Sequence, residues 1–258
     1  MAMKVKDKHF IVTGAASGLG AATAEYLIAQ QAHVSLIDMN LDAGEATAAR
    51  LGKGAQFFQL DVTSENEVQR FFEEYLHQHA ALHGLINCAG IGPSAKVVGK
   101  DGLHDLALFQ KVMNINVTGS FNMLRFAADA MLKQTDPLHD EDRGVIINTA
   151  SVAAFDGQIG QAAYAASKGA IVSMTLPIAR ELARHAIRVV TIAPGIMETP
   201  MLKAMPQQVQ DALGQMVPYP SRLGRPEEFA ALAGHIIENS YINGEVIRLD
   251  GAIRMAPK

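Results

Sequence analysis

A serine, a tyrosine and a lysine stand close together in one stretch of this chain: Thr149-Ala-Ser151, then Tyr164-Ala-Ala-Ser-Lys168. On a helix, positions 164 and 168 lie one turn apart on the same face, so the ammonium can sit beside the phenol or beside whatever the phenol faces. A phenol ordinarily ionises near pKa ~10, too high for a base at neutral pH, and a neighbouring cation favours the phenolate. Tyr164 is therefore the expected general acid and base, with Lys168 tuning it. Ser151 can donate or accept a hydrogen bond to orient a substrate oxygen. Gln158 and Gln161 precede the expected helix and could contact the same substrate, although polar loop residues commonly satisfy backbone groups.

The elements that must position these groups show in the hydropathy pattern. Short β-rich apolar runs at 10–12, 33–37, 56–60, 85–86, 145–147, 188–192 and 245–249 alternate with helical stretches. Such alternation implies right-handed crossovers and a parallel sheet covered on both faces. The expectation is an α/β, doubly wound Rossmann fold with a seven-stranded parallel sheet, a single domain over 1–258. Its ligands would sit beyond the carboxyl ends of the strands. Two segments depart from the pattern. Residues 133–143 are polar, contain Pro137 and read as a surface loop. Residues 194–226 hold repeated prolines with Met197, Met201, Met205 and Met216, and read as a flexible apolar lid. Pro177 falls inside the helix of Tyr164 and should bend it beyond the catalytic turn.

Thr13-Gly14-Ala15-Ala16-Ser17-Gly18-Leu19-Gly20 follows the first strand and opens a helix. The glycines allow a tight turn and close approach of backbone to ligand, while the helix N-terminus offers free N–H groups to a pyrophosphate. Ser17 and Leu19 would add side-chain and backbone contacts. Asp38 ends the second strand, where a carboxylate can accept both adenosine ribose hydroxyls and repel a 2′-phosphate. Ala15, Ala16, Ser17, Met39 and Asn40 offer no cation for such a phosphate, so NAD is expected rather than NADP. Asp61 and Val62 end the third strand and Asn87-Cys88-Ala89-Gly90 the fourth, along the same crevice. Asp61 is placed to meet the adenine amino group, with Val62 and the 88–90 backbone flanking adenine and ribose. Cys88 is the single cysteine, which excludes an internal disulfide and a multi-cysteine metal site. It reads as a small buried thiol, not a nucleophile.

Taken together, TGxxxGxG, NCAG, Asn116, Ser151, YxxxK and Pro194-Gly195 resemble the short-chain dehydrogenase/reductase family, in that family's own order. By that resemblance Asn116, Ser151, Tyr164 and Lys168 form a catalytic tetrad, with Asn116 supporting a water relay behind the lysine. The resemblance also implies that Lys168 holds the nicotinamide ribose hydroxyls, that Thr199 binds the carboxamide, and that Met197 contributes through its backbone beside Pro194 and Gly195. It implies hydride exchange between a substrate carbon and NAD. Stretches 148–164, 174–180, 221–224 and 243–255 are similar to a branch of the family that oxidises (S)-3-hydroxyacyl-CoA, with hydroxysteroids as further substrates. Other readings are a general secondary-alcohol dehydrogenase and a 3-oxoacyl-carrier-protein reductase; the latter usually uses NADPH, which Asp38 disfavours. An inactive cofactor-binding scaffold would not need the complete tetrad. Residues 91–108, 133–143 and Glu198 depart from the branch near the substrate mouth.

In bulk, 258 residues with 49% hydrophobic and 19% charged side chains describe a soluble globular protein. The 22 basic residues are outnumbered by 26 acidic ones, leaving no basic surplus for nucleic acid. The Lys-rich start has no apolar core and no later run reaches membrane-spanning length, so a cytoplasmic protein without a membrane partner is expected. The family implies a homotetramer. His77, His79 and His83 read as solvated surface, because no acidic or cysteine partner completes a metal site.

Overall fold

Parallel strands covered on both faces need apolar side chains at nearly every position, and the seven apolar runs meet that need. A computed structural model describes residues 3–100, 102–134, 142–203 and 205–257. The strands are β1 His9–Thr13, β2 His33–Asp38, β3 Ala55–Gln59, β4 Gly84–Asn87, a two-residue hairpin of β5 Val98–Gly99 and β6 Gly102–Leu103, then β7 Gly144–Thr149, β8 Ile187–Pro194 and β9 Val246–Leu249. All but the hairpin form one seven-stranded sheet in the order β3-β2-β1-β4-β7-β8-β9, with every neighbouring pair parallel.

The helices are α1 Gly18–Ala29, α2 Leu41–Leu51, α3 Glu65–Gln78, α4 Leu106–Met113, α5 Ser120–Lys133, α6 Ala162–Ala183, α7 Pro200–Lys203, α8 Gln207–Gln215 and α9 Pro226–Glu238. One core layer joins Phe71, Phe72, Met123 and Met131 to one face of the sheet, and the other joins Leu27, Phe229 and Ile236 to the opposite face. Local chemistry fixes the helix starts: Asn40, Ser64 and Asp105 each accept a backbone N–H of the helix they precede. Between α4 and α5 the chain passes through a π-helical stretch, Asn114–Gly119, and α6 runs on through Pro177. The chain builds outward from β1 through β2 to β3, then returns to place β4 on the other side of β1. The crevice of such a fold opens at this reversal.

Three segments show contacts that their sequence reading did not include. Of the polar stretch 133–143, residues 135–141 lie outside the described residues, but Arg143 at its edge is buried. Arg143 donates to the carbonyls of Met131, Gln134 and His185, because a guanidinium can satisfy several orphan helix-end carbonyls at once. In 194–226, Met197 is buried against Gly224, whereas Met205 and Met216 are exposed. Glu198 forms an ion pair with Lys203 at 3.4 Å. At the amino end of the sheet, His79 and His83 are not solvated singly. They join His9 and His33 in a patch of rings, with His9 stacked on His33 at 4.7 Å and lying 4.8 Å from His79. Parallel register is the cause, since His9 pairs with His33 and accepts the backbone N–H of His83. His77 is exposed on the last turn of α3.

Candidate active site

Two elements carry the triad. Ser151 leaves β7 and caps the short 3₁₀ turn Val152–Ala154, its Oγ accepting from Ala153 N at 3.1 Å. Tyr164 and Lys168 lie on consecutive turns at the start of α6, and Lys168 is only 6% exposed. The Lys168 ammonium donates to Thr149 O at 2.7 Å and stands 5.8 Å from the centroid of the Tyr164 ring. Burial lowers Lys168 to about 8 and pushes the Tyr164 phenol up, with a hydrogen bond to Ser151 opposing the rise. The net direction at Tyr164 is thus opposite to the one expected from an adjacent cation. The reason is physical: the ammonium is aimed at the Thr149 carbonyl, and loss of water around the phenol outweighs its field.

Asn116 comes from the π-helical stretch, a local geometry often found at functional sites. Its Oδ1 accepts from Ile91 N at 2.8 Å, and its Nδ2 donates to Ile91 O and to Ser167 Oγ, both at 2.9 Å. Ser167 in turn donates to Tyr164 O at 2.7 Å. Asn116 therefore ties the strand end after β4 to the turn that carries Tyr164 and Lys168. Gly90 makes this approach feasible, since a Cβ there would stand 3.1 Å from Asn116 Oδ1 and 3.5 Å from Lys168 Nζ.

The residues expected to hold a cofactor line the same end of the sheet. Gly14 has φ +63, and a Cβ on it would fall 2.8 Å from Ala89 N and from the carbonyl carbon of Cys88. A Cβ on Gly20 would strike Gly14 O, so the turn closes only with glycine at both places. Ser17 is the N-cap of α1 but makes no side-chain cap bond. Leu19 packs against the core. Gly18 faces Thr199 and Pro200, which brings the start of the 194–226 segment over the glycine turn. Asp38 accepts Ala16 N at 3.1 Å and Asn40 N at 3.0 Å, fixing its carboxylate beside that turn. Asp61 Oδ1 is engaged by Thr63 N and Oγ1, while Val62 is buried beside Gly119. Gly195, after Pro194 ends β8, donates its N–H to Leu249 O, and Thr199 N donates to Met197 O. This glycine cradle, the uncapped α1 terminus and a carboxylate at the strand end fit a dinucleotide.

Cys88 is a thiol at neutral pH, since burial raises it to about 11 against a weak bond from Thr149. Gln158 donates from Nε2 to Ala256 O at 3.0 Å, and Gln161 Oε1 accepts from Gln158 N at 3.1 Å. Both amides thus shape their own loop. A polar row across the sheet escapes the motif reading. Thr13 Oγ1 accepts Cys88 N and Ala89 N, both at 3.1 Å, and donates to Asn87 Oδ1. Asn87 Nδ2 donates to Asn148 Oδ1 at 3.0 Å, and Asn148 Nδ2 has no hydrogen-bond partner among the described residues. Its only sequence signal is that three apolar runs each close on a polar residue; register then aligns Thr13, Asn87 and Asn148.

A glycine cradle thus lies at the sheet reversal, and Ser151, Tyr164 and Lys168 stand at the same end of the sheet. The chain is an oxidoreductase of the short-chain dehydrogenase family, whose model matches residues 8–210. Among characterised relatives, the 3-hydroxyacyl-CoA dehydrogenase type-2 of Bos taurus is 52% identical over 255 residues, covering 98% of this chain and 97% of that protein. The Homo sapiens protein of that name is 51% identical with the same coverage. The crystal structure of 3-hydroxyacyl-CoA dehydrogenase type-2 from Mycobacterium avium superposes with a TM-score of 0.92 at 38% identity, covering 98% of both chains.

Proposed function

We propose that this enzyme interconverts (S)-3-hydroxyacyl-CoA and 3-oxoacyl-CoA with NAD, and that Tyr164 is its general acid and base. The observation that carries the reading is the placement of Ser151, Tyr164 and Lys168 beside a glycine cradle whose strand-end carboxylate is Asp38. The relatives at 51–52% identity supply the substrate class.

In the oxidative direction Ser151 orients the substrate hydroxyl and Tyr164 Oη takes its proton. Bound NAD would supply the hydride acceptor, which is the one part of the chemistry no side chain can perform. Lys168, turned from Thr149 O toward the ribose and the phenol, favours the phenolate, and Asn116 holds the Lys168 turn in place. Gly14, Ser17, Gly18, Leu19 and Gly20 would receive the pyrophosphate, and Asp38 the adenosine ribose. Asp61, Val62 and residues 87–90 would flank adenine and ribose. Pro194, Gly195, Met197 and Thr199 would hold the nicotinamide, with 194–226 serving as the lid of a single domain. Gln158 and Gln161 border the acyl group. A cytoplasmic homotetramer completes the proposal, with family membership as its support for the assembly.

The test is NADH formation with a panel of 3-hydroxyacyl-CoAs, hydroxysteroids and sugar alcohols, run in parallel with NADP. Turnover of the thioesters with NAD is the expected outcome. A preference for steroid or sugar alcohol, or for NADP, would replace it.

A further inference from the structure

The loop from Phe155 to Gln161 leads to the helix of Tyr164 without helix or strand of its own. Ser94 Oγ and Ala95 N donate to its Gly160 O, and its other tethers come from the far end of the chain. Arg248 on β9 donates from Nη2 to Asp156 at 2.6 Å and to Ile253 O at 3.1 Å, and from Nε to Asp250 at 2.7 Å. Its guanidinium also lies over the Phe155 ring, 5.2 Å from the centroid. Beyond it, Gln158 Nε2 donates to Ala256 O, and Ile159 N donates to Pro257 O at 3.0 Å. Asp250 backs onto the cofactor side, since a Cβ on Gly195 would stand 2.9 Å from Asp250 Cα. One side chain thus spans the segment next to Gly195 and the loop next to Tyr164.

We propose that Arg248 is a positioning residue and residues 253–257 a strap, which together fix the 155–161 loop against Tyr164 and so set the affinity for substrate without touching it. The geometry requires arginine. A planar guanidinium reaches two carboxylates, a carbonyl and a ring face at once, whereas a lysine ammonium is a single point charge on a flexible stem. Both ends of the Asp156 pair are largely covered, with side chains 22% and 19% exposed, so solvent screens the pair less than an open surface pair. The Arg248 hydrogen bond also holds the Asp156 carboxyl below its usual range.

The proposal rests on the reading that substrate enters beside this loop, so the test needs one readout that uses substrate and one that does not. Arg248→Lys and Asp156→Asn are compared with the wild-type chain by amide hydrogen exchange, NADH binding, and kinetics with (S)-3-hydroxybutyryl-CoA. Exchange across 155–161 is expected to quicken about tenfold while the strands β1 and β4 keep their protection. KM is expected to rise about tenfold, with kcat and NADH affinity changed by no more than about threefold. Unchanged loop exchange, or a raised KM with exchange unchanged, overturns the strap. If wild-type protein fails to turn over the thioester, the functional reading falls and loop exchange alone decides the strap. Should Arg248→Lys fail to fold, Asp156→Asn, at the loop end of the pair, carries the same test.

Discussion

The two ends of the sheet both gather ionisable groups from distant parts of the chain, yet they treat charge in opposite ways. At the carboxyl end the ionisable groups have polar partners: Lys168 has Thr149 O, Tyr164 has Ser151, and the Asp38 carboxylate accepts two backbone amides. At the amino end His9 and His83 face other rings and Lys8, with no carboxylate among the described residues acting on them, and burial first, then neighbouring cations, hold both at about 4. Burial opposes the charged form at both ends, but at the carboxyl end an acceptor stands ready for the Lys168 ammonium. At the amino end the neighbours are other imidazoles and a cation, which keep the rings neutral and make the fold sensitive to the proton instead.

The largest effect should follow from breaking the carboxyl end. Tyr164→Phe removes one hydroxyl, and kcat for NAD-dependent oxidation should fall about 10²- to 10⁴-fold. NADH binding and thermal midpoint should stay close to wild type, so retained turnover would move the base elsewhere. At the amino end the expected loss is in stability and not in rate. Because His9 and His83 bind protons more weakly folded than unfolded, their contribution is fully present above the unfolded pKa of ~6.5 and is lost as pH falls toward their folded values. Denaturant unfolding at about pH 5 should show roughly 2–3 kcal/mol less stability than at about pH 7, a figure already reduced because solvent screens the half-exposed His9. His83→Gln, which keeps an acceptor for the His9 N–H, should flatten that dependence; a profile already flat in wild type would erase the contrast. The smallest change concerns selectivity. Asp38→Ala should lower the preference for NAD over NADP about tenfold, close to 1.4 kcal/mol, measured as the ratio of kcat/KM values.

What could be read from the chain, and what could not, divides along physical lines. The glycine turn, the triad and the seven strands are each a short local pattern, so their order alone places them at one end of a parallel sheet. The upward direction at Tyr164 depends on how much water α6 excludes, which spacing does not encode. The Thr13, Asn87 and Asn148 row and the histidine patch depend on register between strands far apart in sequence. Arg143 misled for a related reason: a charged residue in a polar stretch looks solvated until the carbonyls it satisfies are known.

The π-helical stretch between α4 and α5 has a consequence for chain length. Its six residues take a wider winding than an α-helix, which absorbs one residue more than α-helical winding would. Removing one residue here would let the stretch close into plain α-helix and leave α4 and α5 in their present relation, whereas removing one from α5 would turn everything beyond it by about 100°. Met123 and Ala127, fully buried against the sheet, thus depend on the length of α5 and not on the bulge. What the extra residue provides is local: the wider turn from which Asn116 reaches Ile91. The bulge acts as slack in a continuous rod, spent on the site and not on the packing.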